Sequence, residues 1–255
     1  DSRQYTIGPR ITATWFFAAD ADSGGYAAPQ PESFVLSLFI SIEGGDGAGK
    51  STQADLLMTR LKASGIDALL VHEPGGTDFG EQVRRLVKGD VERSPMSELF
   101  LFEAARAQLV QDVIRPALAA DRVVVTDRYA DSSVAYQGFG RGLDLADVRA
   151  LNHAATGGLM PDATVLLEIT PDNALGRVNG TDGSTGRSDD PTQERFEREP
   201  IEFHLRVAEG FGTLATEEPG RWFVVDASAR PEGVADKVWS IVSNLLTLHG
   251  ISGNV

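Results

Sequence analysis

The chain contains no cysteine, which excludes disulfides, thiolate metal sites and cysteine nucleophiles. Its four histidines, His72, His153, His204 and His249, are scattered and read as surface or satisfied structural positions. No run approaches the eighteen or so apolar residues of a membrane span, so no membrane partner is expected. Positive charge is scarce, with 23 Lys and Arg against 37 Asp and Glu and a net charge of −14. That balance argues against a nucleic-acid-binding surface, which needs a basic footprint. An acidic protein can still bind a small anion where its few cations converge. At 255 residues, 42% hydrophobic and 24% charged, the chain suits one α/β domain with a substantial core. Residues 1–33, rich in Gly, Ala, Ser and Pro, read as a mostly disordered extension or a start-site artefact. Residues 11–19 have some likeness to a secretory apolar region, but the stretch before them is weakly basic and the chain opens without methionine.

What is present is more informative. Gly44-Gly45-Asp46-Gly47-Ala48-Gly49-Lys50-Ser51, followed by Thr52, fits the phosphate-binding P-loop pattern. An apolar β-branched run at 34–42 precedes it as a buried strand, and a helix-forming run follows at 52–63. Such a loop turns backbone N–H groups around phosphate oxygens, and the helix N-terminus adds positive partial charge. Lys50 reaches the β- and γ-phosphates, and the Ser51 hydroxyl can ligate Mg²⁺. Further strands are predicted at 67–72, 122–126, 163–169 and 222–226. Helices are expected at 79–88, from Ser94-Pro95 to about 120 with a kink near Pro116, at 144–155, after Thr170-Pro171, at 194–217 and at 231–248. The segment 179–191 is Gly, Ser, Thr and Asp throughout and reads as a flexible loop. Strands alternating with helices predict a five-stranded parallel sheet flanked by helices on both sides, within a domain spanning 34–250.

Three other clusters bear on chemistry. Asp127-Arg128-Tyr129 ends an apolar strand, where a carboxylate near Mg²⁺ and a phosphate-binding Arg are expected. Phe102 and Arg106 share a helix face, as an aromatic stacking on a base and a guanidinium at its edge would; alone, such a pair is more often helix packing with a solvated Arg. Arg187 within the polar loop, with Arg177 and Arg195 beside it, could close over a triphosphate.

Together the motifs Glu43 to Thr52, Glu73-Pro-Gly-Gly-Thr77, Phe102-Glu-Ala-Ala-Arg-Ala-Gln108, Asp127-Arg-Tyr129, Ser132, Tyr136-Gln137-Gly138 and Arg195-Phe-Glu197 with Phe203-His204 strongly resemble bacterial thymidylate kinases. The resemblance covers about 34–248 and implies the P-loop nucleotide-kinase fold with a flexible lid at about 177–195. It implies ATP and dTMP as substrates, Mg²⁺ with ATP, a homodimer packed through helices near the acceptor site, and a cytoplasmic setting. By the same resemblance, residues 44–52 hold ATP, with Ser51 and Asp127 at the metal. Asp46 contacts the deoxyribose 3′-hydroxyl, Phe102 stacks on thymine and Arg106 donates to its O4. Arg84 and Arg128 grip the 5′-phosphate, Tyr136 crowds the 2′ position, and Ser132 and Gln137 complete the acceptor site. Members with glycine at position 47 supply a catalytic arginine from the lid. Arg187 is favoured over Arg195 and then Arg177, with Lys50 and Arg128 the other catalytic cations. The chain departs from the family at His72, often arginine, at Glu194, usually aspartate, and in a longer lid. Rival readings are a kinase of another deoxynucleotide or deoxynucleoside, for which Glu43 could serve as base, and a catalytically idle nucleotide switch.

Overall fold

The computed structural model describes residues 37–178 and 194–252, with the side chains of Val178, Glu194 and Arg195 outside that description. Five β-branched-rich segments form one parallel sheet in the order β2-β3-β1-β4-β5. The strands are β1 (Leu38–Glu43), β2 (Ala68–His72), β3 (Val123–Asp127), β4 (Ala163–Glu168) and β5 (Trp222–Asp226). Central β1 pairs with β3 from Leu38↔Val123 to Ile42↔Asp127, and with β4 from Ile40↔Ala163 to Glu43↔Leu166.

Alternate side chains of the central strands enter different cores, as the period of two demands. Leu38, Ile40, Ile42, Val123, Val125, Val165 and Leu167 pack with α1 (Lys50–Ala63) and α10 (Pro231–Leu248). Phe39 and Val124 face the opposite layer, where Leu109, Val110, Ile114 and Tyr129 meet them. Helices therefore cover both faces, which is why these strands read as continuous apolar runs rather than alternating ones.

The long helix expected from Ser94 forms as α3 (Pro95–Leu109), a π-helical stretch (Val110–Ile114) and α4 (Arg115–Ala119). The Ser94 hydroxyl accepts from the Ser97 N–H, with Pro95 in the first turn. Irregularity falls just before Pro116, whose missing N–H cannot complete the α-helical ladder. The helix expected over 194–217 is divided into α8 (Glu194–Glu197) and α9 (Ile201–Glu217), with Pro200 at the start of the second. α2 (Asp78–Lys88), α6 (Leu145–Thr156) and α7 (Pro171–Val178) match their sequence signals. One helical element went unread, α5 (Ala130–Ser133) with its π-helical continuation Val134–Gly140. Its sequence carries two glycines and β-branched Val134, so no helical periodicity marks it. Packing against α9 forms it instead: Phe203, Val207 and Phe211 share one core with Val134, Ala135 and Tyr136. Residues 1–33, and residues 179–193 with Arg187 among them, lie outside the described residues.

A nucleotide-sized cavity at the switch point of the sheet

The connection after β1 runs to one side of the sheet and that after β3 to the other, so the crevice at their carboxyl ends is the topological switch point. There the loop after β1 bends back into α1. Gly44 has φ +146, and a Cβ added to it would stand 2.7 Å from the Leu167 carbonyl oxygen, so only glycine fits. Gly49 enters α1 in the left-handed region and brings no side-chain cap. The first N–H groups of α1 thus have no partner within the helix and face an open cavity. That cavity, of about 1070 Å³, is lined by Asp46 to Asp55 on one side. Its size lies at the upper end of the usual range for small-molecule sites.

Lys50 is buried, and its Nζ donates to the Gly45 carbonyl at 2.8 Å. Burial and neighbouring Arg128 push its ammonium down to about 8, opposed by Asp46, Asp127 and Glu43. The Ser51 hydroxyl donates to Asp127 Oδ2 at 2.5 Å, joining loop and β3 at the place the sequence reading assigned to Mg²⁺. Among the described residues no three His, Cys, Asp or Glu side chains cluster as a cation cage. A hydroxyl backed by one carboxylate suits a metal whose remaining ligands are phosphate oxygens and water.

Arg128 dominates the other side of the P-loop. Its backbone has φ +71, unusual for a non-glycine residue. Its Nη2 meets Asp46 Oδ1 at 2.5 Å and the Tyr136 hydroxyl at 2.9 Å. Its Nη1 meets the Gly44 carbonyl and Ser132 Oγ, each at 3.2 Å, and the guanidinium lies 4.7 Å from the Tyr136 ring centroid. Burial pushes the Asp46 carboxyl up, but Arg128 and Lys50 outweigh it and hold the group below its ordinary value. Asp46 Oδ2 is buried without a hydrogen-bond partner among the described residues, an acceptor suited to a ligand hydroxyl.

Arg84, Phe102, Ser132, Tyr136 and Gln137 all line the cavity with Arg128. Arg84 Nη1 donates to the Pro74 carbonyl at 2.9 Å, and Gln137 Nε2 donates to Glu98 at 3.0 Å. The Phe102 ring stands 6.3 Å from that of Phe196, which itself faces Tyr136 edge-on at 5.8 Å. Aromatic rings therefore form part of the cavity wall.

Arg106 is placed differently from the solvated or edge-presenting arginine that helix spacing suggests. It is 1% exposed, behind the wall formed by Glu73, Phe102 and Ser133. Its Nε bonds Glu73 at 2.8 Å, its Nη1 bonds Glu103 at 2.6 Å and Asn152 at 2.8 Å, and its Nη2 bonds Ser133 Oγ at 3.0 Å and the Tyr129 carbonyl at 3.3 Å. All five N–H groups are committed because a buried guanidinium must satisfy each of them. A direct contact with a base edge requires exchange of one of these bonds. Burial pushes the Glu73 carboxyl up to about 7 despite Arg106. One guanidinium between two buried carboxylates leaves Glu73 Oε1 and Glu103 Oε2 without partners among the described residues.

Of the three candidate lid cations, Arg177 is seen to line the cavity, held by the Ala227 and Ser228 carbonyls at 2.8 and 3.3 Å. Arg195 sits on α8, its side chain outside the described residues, and Arg187 lies wholly outside them. Sequence reasoning missed Ser133 and the turn 227–231 after β5, which with Arg177 closes the end of the cavity beside α1. The only signal for that turn was Asp226 and a Pro231 helix start at a strand's carboxyl end.

His72, one of the departures noted above, bonds Glu81 at 2.9 Å, and Glu81 also accepts the Gly76 N–H at 2.9 Å. The pair holds the 73–77 turn beside the cavity.

The thymidylate kinase family model matches residues 42–238. A thymidylate kinase of Synechococcus sp. (strain JA-2-3B'a(2-13)) is 46% identical over 211 residues, covering 83% of this chain and 97% of that protein. That of Solidesulfovibrio magneticus is 44% identical over 211 residues, covering 82% of this chain and 100% of the relative. The crystal structure of the Ehrlichia chaffeensis thymidylate kinase superposes with a TM-score of 0.65 at 29% identity, over 81% of this chain and 98% of that one. By the family model and by relatives of this identity and coverage, this chain belongs to the thymidylate kinase family.

Proposed function

We infer that the chain transfers the γ-phosphoryl of ATP to the 5′-phosphate of dTMP, releasing ADP and dTDP for deoxynucleotide synthesis. The observation that carries this reading is the meeting of two arginines, Arg84 and Arg128, with the P-loop Lys50 in one cavity. Arginines facing a P-loop suit an acceptor that already bears phosphate, and they disfavour a nucleoside acceptor. Glu43 is fully buried and not part of the cavity wall, which removes it as a base for a 5′-hydroxyl.

The donor triphosphate lies along residues 44–52, its base between Arg177 and the 227–231 turn. An oxygen of the dTMP phosphate attacks the γ-phosphorus in line as the bond to the β-bridging oxygen breaks, with no covalent intermediate on the protein. Mg²⁺, held through Ser51 with Asp127 behind it, would supply charge neutralisation at the phosphates. Lys50 and Arg128 meet the charge spread over the migrating group, and Arg187 or Arg195 from the 179–195 segment completes the neutralisation that Gly47 cannot provide. On the acceptor side Asp46 Oδ2 takes the 3′-hydroxyl, Phe102 stacks on thymine and Tyr136 excludes a 2′-hydroxyl. Ser132 and Gln137 border the sugar and base. Arg106 reads O4 by giving up a present partner.

Exposed Phe79, Leu86 and Phe100 on neighbouring α2 and α3 support a homodimer packed through these helices. Among the described residues no helix is long and apolar enough to cross a membrane, and the reading places the enzyme in the cytoplasm with its donor.

A coupled ADP-release assay with dTMP, dUMP and dCMP tests the acceptor assignment. dUMP lacks only a methyl, worth about 1–3 kcal/mol, and should react poorly but measurably. dCMP presents an amino group to Arg106 and should be rejected by roughly 10⁴-fold. Equal rates with dCMP and dTMP would show that Arg106 does not read the base.

A further inference from the structure

Glu43 ends β1 one residue before the P-loop. It is 0% exposed, yet it is hydrogen-bonded throughout to protein groups. Its Oε1 accepts the Ser41 hydroxyl at 2.9 Å and the Tyr129 backbone N–H at 2.7 Å. Its Oε2 accepts the Ser132 hydroxyl at 2.6 Å. Both sides of this arrangement converge on Arg128. Tyr129 follows Arg128 directly, and its N–H is the first donor after the φ +71 backbone of that arginine. A left-handed non-glycine residue persists only where its surroundings hold it. The Ser132 hydroxyl, having spent its single proton on Glu43, presents a lone pair to Arg128 Nη1 at 3.2 Å. One carboxylate therefore anchors both the backbone exit and one side-chain contact of the cation that faces the acceptor.

We propose that Glu43 is a positioning residue for acceptor binding, acting on Arg128 through the Ser132 hydroxyl and the Tyr129 N–H. The proposal rests on the reading of Arg128 as a ligand of the dTMP phosphate. Isolated buried carboxylates are costly, and this one lies near the charges of Asp131, Arg128, Lys50 and Glu73. Three donors arranged around it offset part of that cost, and they fix its orientation.

Glu43→Gln keeps the shape but turns one acceptor into a donor, so either Ser132 or Tyr129 meets an N–H where it needs an oxygen. In steady-state assays of the full chain, kcat/KM for dTMP should fall by about tenfold or more, the scale of a lost hydrogen bond to a charged group. KM for MgATP should change by less than about twofold, since the donor phosphates are held by the P-loop and α1. Ser132→Ala should show the same split, and the double variant should lose no more than the larger single loss. A purely structural role for Glu43 would instead impair both substrates alike, or give additive losses, and either result overturns the proposal. Should Glu43→Gln not fold, Ser132→Ala decides, because an unchanged kcat/KM for dTMP in that variant also overturns it. Arg128→Ala separates the two levels of the argument. If it spares KM for dTMP, the acceptor-phosphate reading itself fails; if it raises KM while Glu43→Gln does not, only the positioning role fails.

Discussion

Single residues divide the cavity's work by charge. Lys50 is the one side-chain ammonium on the P-loop, and its Nζ bonds the Gly45 carbonyl, which holds it over the loop. Lys50→Ala should therefore reduce turnover by at least the roughly 10²–10³-fold lost with one preorganised donor. The melting temperature should stay near that of the parent, because this side chain packs no core cluster. Turnover within tenfold of the parent, in a folded variant, would remove Lys50 from the mechanism. Gly47 supplies no side chain, and the proposed mechanism assigns a further cation to Arg187 or Arg195. Arg187→Ala or Arg195→Ala should lower kcat far more than it raises KM for dTMP, the pattern of a contact made mainly in the transition state. Arg177 is instead tied to the 227–231 turn, so Arg177→Ala should act chiefly on KM for ATP. Parent-like kcat in both the Arg187 and Arg195 variants would leave Lys50 and Arg128 as the only protein cations at the reaction.

At the scale of elements, one wall of the cavity depends on a helix that local sequence does not announce. Residues 130–140 are helical because α9 packs on them, and the contact is close. A Cβ added at Gly140 would stand 2.6 Å from Phe203 Cε2 and 3.0 Å from Val207 Cγ2. Phe203 also packs edge-on against Tyr136 at 6.0 Å, so displacement there propagates to the cavity wall. Gly140→Ala should destabilise the fold by about 1–3 kcal/mol, the usual cost of overpacking. It should also raise KM for dTMP more than KM for ATP. Urea unfolding and steady-state kinetics read the two effects, and a variant as stable as its parent would show that this interface yields freely. Arg141 ties the same elements together. It pairs with Glu98 on α3 at 3.1 Å and with Glu199 before α9 at 2.6 Å, and its guanidinium lies 4.7 Å from the Phe203 ring centroid.

For the whole molecule, two buried carboxylates give stability a pH dependence of defined sign. Burial raises both Glu43 and Glu73 from 4.5 to about 7. Between these values the folded state keeps protons that the unfolded chain has released. Their stabilising contribution is complete below about 4.5 and is lost as pH rises through about 7. Glu73→Gln should flatten that fall between pH 4.5 and 7, whatever its effect on absolute stability. Denaturant unfolding at several pH values measures the slope, and an unchanged slope would mean that Glu73 ionises as an ordinary carboxyl. Much of this protein was legible in its residues. β-branched runs ending in Gly-rich or Asp-Arg turns determine a parallel sheet with phosphate chemistry at its carboxyl edge, because strand burial and loop geometry are local properties of the chain. Phe102, Tyr136 and Gln137 stood out through their motifs, and all three line the cavity. Tertiary structure alone decided the rest. Helical spacing put Arg106 on the face of Phe102, but only packing shows that it meets Glu73, 33 positions earlier, and Asn152, 46 positions later, behind the wall. The burial of Glu43, the helix at 130–140 and the turn that closes the donor end are likewise products of distant segments meeting. Desolvation and hydrogen-bond satisfaction are set by those neighbours in space, and no local sequence pattern encodes them.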